Sequence, residues 1–168
     1  MKLTRILAAV LLALLLASTV SCGAKSEPVK ETDEAGYFAF GSYTFAIDGE
    51  VTEATLAALG KQVKEPEDAP NCAFDGKGML YTFSGFEVET YAKDGKNYFY
   101  GVYLLDDSIF ADREGITIGS TKDEVIAAYG QADDAKEGSL TYHRKGMDLV
   151  FFLRDGRVTR IHYLFTVS

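Results

Sequence analysis

The 168-residue chain has no tryptophan, only three prolines and two each of cysteine and histidine. Two cysteines cannot build the disulfide framework typical of small secreted domains, so packing must hold the fold together. The two histidines have no cysteine or carboxylate at ligand spacing, which argues against a zinc site. Basic residues are also scarce, since 17 stand against 25 acidic ones. Because binding to a phosphate backbone needs a basic stripe, we exclude nucleic acid as a partner.

Sequence patterns of catalysis are missing as well. The chain carries no G-x-S-x-G, H-E-x-x-H, Walker or EF-hand pattern. Its four Asp-Gly pairs lack the alternating acidic ligands of a calcium loop and are more typical of turns. We therefore expect a protein that is not an enzyme and that has no catalytic residue, no cofactor and no metal. An unrecognised hydrolase with a pair of acid–base carboxylates is the alternative.

The one long hydrophobic run is at the N-terminus. Lys2 and Arg5 precede twelve apolar residues, 6–17, and small residues follow as far as Cys22. A membrane-spanning helix needs about 20 apolar residues, so this run is too short to be one. The order of charged, apolar and small residues predicts an export signal peptide over residues 1–21.

The position of Cys22, directly after this signal, resembles the lipobox of bacterial lipoproteins, in which the cysteine is lipidated and becomes the mature N-terminus. Val20, Ser21 and Gly23 fit that pattern, whereas Thr19 stands where the family usually has leucine. The resemblance implies an extracytoplasmic protein that is lipid-anchored to the cell membrane. Cleavage after Ser21 without lipidation, which would release a soluble protein, is the alternative.

The next segment, residues 22–36, predicts a flexible tether that begins with the lipidated cysteine. It holds a single large apolar side chain, Val29, and the globular part is expected to start at Tyr37. If Cys22 carries lipid, Cys72 has no intrachain partner. We interpret Cys72 as a small buried apolar residue rather than a reactive thiol.

Two pairs of stretches in the globular part match each other: 56–60 with 126–130, and 93–96 with 154–157. The first pair, LAALG and IAAYG, is offset by 70 residues, and the second, KDGK and RDGR, by 61. Both matches occur in the same order along the chain. They predict two tandem repeats, with repeat 1 at residues 37–111 and repeat 2 at residues 112–168.

Each repeat is predicted to contain a short helix. In repeat 2, Thr121 and Glu124 form a capping box and Gly130 ends the helix. In repeat 1, Thr52 is the N-cap and Gly60 ends the helix. The predicted strands are 80–83, 86–91 and 97–105 in repeat 1, and 140–143, 147–153 and 158–165 in repeat 2. The fold class is therefore α+β, with each short helical element packed on an antiparallel β-meander.

The hairpin at Asp155 and Gly156 decides which side chains are buried. A two-residue loop would bring Phe151 to the same face as Arg160. A three-residue loop, 154–156 with a bulge at Gly156, would instead collect the apolar side chains of both strands on one face. We therefore predict the three-residue loop.

This register leaves an open sheet face that carries aromatic and charged side chains. The candidate recognition residues on it are Phe99, Tyr103, Arg160, Glu89 and Tyr91. Asp148 is expected opposite His162 as a cross-strand charge pair. Aromatic side chains supply affinity and charges supply orientation, so we expect the face to bind an envelope or secreted protein. A small ligand or cell-wall fragment held in a cleft between the repeats is the alternative.

Tandem copies of a short helical element followed by an antiparallel meander resemble the β-lactamase-inhibitor-protein-like fold. The small lipoprotein of the outer-membrane β-barrel assembly machine is similar, with a single unit. Residues 115–125 (GITIGSTKDEV) look like the segment that leads into the helix in such repeats. The chain is also similar to clostridial lipoproteins of unknown function. The resemblance implies architecture over residues 37–165, and because its motifs are structural, no inhibitory contact residue carries over.

Replacing Cys22 by serine tests the predicted anchor. The wild type should fractionate with membranes and take up a fatty-acid analogue in metabolic labelling, because the thiol is the acceptor of the lipid. Cys22→Ser should lose the label and be released or mislocalised. An unlabelled wild type found only in the soluble fraction would contradict the lipoprotein prediction.

Overall fold

The computed structural model describes residues 37–70, 78–111 and 115–166. Cys22, Cys72 and the predicted signal and tether lie outside these ranges. The elements in chain order are β1 Tyr37–Phe40, β2 Tyr43–Ala46, α1 Glu53–Ala58, β3 Glu67–Asp68, β4 Gly78–Thr82, β5 Phe86–Lys93, β6 Lys96–Leu104, α2 Lys122–Tyr129, β7 Asp134–Lys136, β8 Ser139–Arg144, β9 Met147–Arg154 and β10 Arg157–Phe165.

Eight of the described strands form one antiparallel sheet in the order β3-β4-β5-β6-β10-β9-β8-β7, and β1 pairs with β2 in a separate hairpin. Neighbours in the large sheet are neighbours in sequence, except at its centre, where β6 pairs with β10. The predicted α+β class, with antiparallel sheet and short helices, is confirmed. The six predicted strands are present, and β1, β2, β3 and β7 are additional.

The helix boundaries follow the predicted caps. The Thr121 hydroxyl accepts a hydrogen bond from the Glu124 amide (3.2 Å), and the Glu124 carboxylate accepts one from the Thr121 amide (2.7 Å). The hydrogen bonds that the Thr121 amide and then the Thr121 hydroxyl (2.9 Å) donate to the Glu124 carboxylate lower the pKa of this carboxyl group. Gly130 ends α2 with a φ of +82°, a conformation that glycine adopts without strain. In α1 the Thr52 hydroxyl accepts from the Thr55 amide (3.1 Å), so both predicted N-caps are confirmed.

The β1–β2 hairpin packs over the middle of the large sheet. The Phe38 ring lies 5.4 Å from the ring of Phe99 on β6 and 4.7 Å from that of Phe165 on β10. Tyr163 donates a buried hydrogen bond to the Ala39 carbonyl (3.1 Å). Residues of both helices join the same apolar core, among them Val125. The hairpin and the helices therefore share one face of the sheet, which we call the core face.

The loop between β9 and β10 differs from the predicted one. Arg154 pairs with Arg157, and the two residues between them, Asp155 and Gly156, have φ values of +53° and +72°. These are the values of a two-residue type I′ turn. The extra residue lies further along β10, as a bulge at Thr159. The bulge restores the register, so the predicted core side chains are all buried: Met147, Leu149, Phe151, Ile161, Tyr163 and Phe165.

A bulge in β6 makes the predicted exposure of Phe99 wrong. The pairing with β5 skips Tyr100, which lies between the paired residues Gly101 and Phe99. One extra residue turns every earlier side chain of the strand to the other face of the sheet. Phe99 is therefore only 3% exposed and contributes to the core, whereas its neighbour Tyr100 is partly exposed.

Because Phe99 is a core ring, Phe99→Ala should lower the free energy of unfolding by about 3–5 kcal/mol, as should Phe151→Ala. Tyr100→Ala, at the neighbouring bulge position, is the matched control and should have a smaller effect. Urea denaturation followed by circular dichroism measures all three. A change within about 0.5 kcal/mol for Phe99→Ala would show that this ring is not part of the core.

Candidate functional site

The open face is the side of the large sheet opposite the core face. The alternation of side chains along the central strands assigns residues to it. They are Glu87, Glu89 and Tyr91 on β5, Gly101 and Tyr103 on β6, Arg157, Arg160, His162 and Leu164 on β10, and Asp148, Val150, Phe152 and Arg154 on β9. Arg154 and Arg160 are exposed, and Tyr103, His162 and Phe152 are partly exposed.

Three aromatic rings cross the centre of the open face. Tyr103 and His162 are directly opposite each other on β6 and β10, with ring centroids 4.7 Å apart. The His162 ring also lies 4.8 Å from that of Phe152 on β9. We call these three residues the ring ladder. It spans the pairing of β6 with β10, so both sides of the sheet contribute to one surface.

Tyr103 is held in place by two neighbours. Its hydroxyl donates a hydrogen bond to the Glu89 carboxylate (2.6 Å). Its ring lies over Gly101, where a Cβ would overlap the ring atoms. Burial, followed by the hydrogen bond to Glu89, raises the pKa of Tyr103, so its hydroxyl stays protonated. The ring is thus ordered before any partner arrives, which reduces the entropy lost on binding.

The two histidines have opposite environments. Burial between the two rings, followed by the charge of Arg160, lowers the pKa of His162 to about 4. The hydrogen bond to Asp148 (2.8 Å), followed by its charge, raises the pKa of His143. The predicted pairing of Asp148 with His162 is therefore wrong, because β9 pairs Asp148 with Leu164 on β10 and with His143 on β8.

Of the five predicted recognition residues, Tyr103, Arg160, Glu89 and Tyr91 lie on the open face. Phe99 lies on the core face, as described above. Tyr91 is only 8% exposed, and its ring stacks on that of Tyr98 with centroids 5.5 Å apart. It therefore presents little surface to a partner.

The predicted register also places His162 and Phe152 on the open face, but neither is among the five predicted recognition residues. Period-two alternation is the signal that places them there, with His162 two residues from Arg160 and Phe152 directly opposite Arg160. The contact between their rings depends on the pairing of β9 with β10 and could not be found from alternation alone.

A separate groove of about 530 Å³ lies beside the C-terminal end of α1. Its lining residues are Tyr43, Leu59, Gly60, Lys61, Gln62, Val63, Ser84 and Phe86. It lies among the β1–β2 hairpin, α1 and the start of β5. At the centre of the sheet, β6 and β10 pair through their backbones.

Within residues 37–70, 78–111 and 115–166, no three histidine, cysteine or carboxylate side chains come together as a metal site. The helices of the described part of the chain are all too short or too polar to cross a membrane. Comparison with known proteins finds no matching family, no matching curated protein and no matching solved structure.

The two histidines provide a direct test of the geometry. In an NMR titration, the His162 ring should titrate near pH 4, and that of His143 above the ordinary value of 6.5. Because its pKa is depressed on folding, His162 contributes stability that is complete above pH 6.5 and is lost as the pH falls towards 4. His143, with a raised pKa, has the opposite sign: its contribution is present below pH 6.5 and is lost as the pH rises through its folded pKa.

His162→Gln should remove the low-pH resonance and reduce the loss of thermal stability between pH 6.5 and 4. His143→Gln is the control, since that ring is exposed. Two histidines that both titrate near pH 6.5 would contradict the ring ladder, because they would show that His162 is not desolvated.

Proposed function

We propose that this chain is an extracytoplasmic lipoprotein, anchored to the cell membrane through Cys22, and that its domain binds another protein through the open face without enzymatic activity. The observation that carries the proposal is the ring ladder of Tyr103, His162 and Phe152. Partly exposed aromatic side chains at the centre of a face, with charges around them, have the composition of a protein-binding hot spot.

The geometry of the ladder supports a protein partner better than a sugar. Sugar rings stack best on aromatic rings that share a plane, whereas Tyr103 and Phe152 are inclined to the central His162 by 66° and 60°. The fixed Tyr103 ring adds contact area at little entropic cost.

The two sides of the large sheet are also proposed to be tandem repeats. In support, the strand order is symmetric about the β6–β10 pair, and β9 and β10 begin 61 residues after β5 and β6. Val102 pairs with Tyr163, which is 61 residues later. A repeat with this offset would therefore have a local two-fold axis between these two residues. Superposition of the two halves with Gly95 on Gly156 tests the interpretation.

A small ligand or cell-wall fragment in a groove is the second candidate. The groove beside α1 favours it, because about 530 Å³ is within the range of small-ligand sites. The lining of this groove includes one charged side chain, Lys61, together with the polar side chains of Gln62 and Ser84. These few polar groups offer little for the specific recognition of a small ligand. We therefore place the protein-binding proposal first.

Site-specific crosslinking tests the proposed face. A photoreactive phenylalanine analogue at position 152 should form protein adducts in native envelopes, because its ring would be inside the interface. The same analogue at Lys122, exposed on α2, is the matched control and should form few. Adducts that arise equally from both positions, or from position 122 alone, would place the interface elsewhere.

Affinity measurements with the captured partner provide the energetic test. Phe152→Ser and Arg160→Ala should each weaken binding by about 1–2 kcal/mol, as interface residues do. Arg160→Ala should leave the free energy of unfolding within about 0.5 kcal/mol of wild type, since its side chain is exposed. Lys145→Ala, in the turn before β9, controls for the loss of a surface charge. Unchanged affinity in both open-face variants would refute the proposed function.

A further inference from the structure

The charges of the open face are unequally satisfied within the protein. Glu89 accepts the hydrogen bond from Tyr103 (2.6 Å), and Asp148 pairs with His143 (2.8 Å). Glu87 accepts a hydrogen bond from Thr82 (3.0 Å), and Lys64 lies 3.8 Å from its carboxylate. The carboxylates of this face therefore already have internal partners.

Two of the three arginines on the open face are in the opposite situation, whereas the third, Arg157, donates a hydrogen bond to the Gly119 carbonyl (2.9 Å). Among the residues that the structure describes, neither Arg154 nor Arg160 forms an ion pair or a side-chain hydrogen bond, and both are exposed. The neighbouring His162 is neutral above pH 4 or so, because burial lowers its pKa. The face thus presents two unpaired guanidinium groups, although the whole chain has a net charge of −8.

Both arginines flank one ring of the ladder. Arg160 is directly opposite Phe152 on the neighbouring strand, and Arg154 is two residues further along β9 on the same face. Diagonal and opposite neighbours on one sheet face are about 5–8 Å apart, so one short segment can contact all three side chains. Guanidinium groups bind carboxylates in a bidentate manner, and the ring between them offers an apolar contact.

From this arrangement we infer that the open face recognises a protein segment in which an acidic residue adjoins a large apolar residue. The carboxylate binds Arg160 or Arg154, and the apolar side chain packs against Phe152 and His162. The inference rests on the proposed function and specifies the chemistry of its partner.

An acidic protein segment fits this surface better than an anionic membrane does. The carboxylates of Glu87 and Glu89 lie on the same face as the arginines, and the net charge of the chain is negative. A broad anionic surface would be repelled by these charges, whereas a segment with a single carboxylate can approach the arginines alone.

Selection from a random dodecapeptide library displayed on phage, with the full chain in mild detergent as the target, tests the inference. Enriched peptides should carry aspartate or glutamate next to an aromatic or large aliphatic residue. The Kd of the most enriched synthetic peptide should rise about tenfold in Arg160→Gln or Arg154→Gln, a change expected for a lost charge-assisted contact. Lys145→Gln removes one exposed positive charge at the far end of β9 and should change the Kd by less than about twofold.

The outcomes separate the inference from the proposed function. Peptides that lose affinity in Phe152→Ser but are not acidic, or that ignore both arginine variants, would overturn the charge inference and leave the face as a protein-binding site. Peptides unaffected by Phe152→Ser, Arg154→Gln and Arg160→Gln alike would overturn both. Equal binding to vesicles of anionic lipid, lost in the arginine variants, would also overturn the inference, because it would assign the arginines to a membrane.

Discussion

The pairing of β6 with β10 is the contact on which the rest of this structure depends. It is the only place in the described sheet where strands distant in sequence become neighbours, and it joins two sets of sequential hairpins into one eight-stranded surface. The core face and the open face are both continuous because of it. On the core face it allows the Phe38 ring to pack against both Phe99 of β6 and Phe165 of β10. On the open face it brings Tyr103 opposite His162.

The β1–β2 hairpin completes the core at this joint. Two helices of six and eight residues are too short to cover eight strands, and helices of this length are not stable without tertiary contacts. Phe38 and Phe40 fill the space above the centre of the sheet and are fully buried. Such aromatic packing stabilises the domain, and the hairpin is as much a part of the core as the large sheet.

The open face combines internal order with unsatisfied charge. The glycine at position 101 leaves room for Tyr103 to lie flat across the strand, and Glu89 holds the hydroxyl there. A hydrogen bond of this kind lowers the conformational freedom of the ring before binding. The arginines next to Phe152 are by contrast held by nothing in the described part of the chain. A surface with fixed aromatic rings and free cations is specific in shape and selective for negative charge.

A feature of this protein could be predicted from the sequence when the residues that form it are close together along the chain. The capping box of Thr121 and Glu124 involves residues three positions apart, so local chemistry determined it and the prediction was correct. A turn at Asp155 and Gly156 is present as predicted, but it has two residues rather than three, and the sequence did not determine that length. The regular alternation of side chains between the two faces of the sheet likewise determined which residues of β9 are buried. The predicted export signal and lipid anchor at Cys22 also come from the sequence by itself, because they are linear motifs.

Only the tertiary structure decided where the bulges lie. Tyr and Thr are ordinary strand residues, so nothing in the local sequence marks Tyr100 and Thr159 as bulges. Each nevertheless adds one residue to its strand and turns the side chains on one side of it to the other face of the sheet. Their positions depend on cross-strand pairing and packing between residues far apart in the chain, which local composition does not determine. For this reason Phe99, which precedes the bulge of β6, was assigned to the wrong face, whereas Tyr103 and Arg160, which follow the bulges of their strands, were assigned to the correct one.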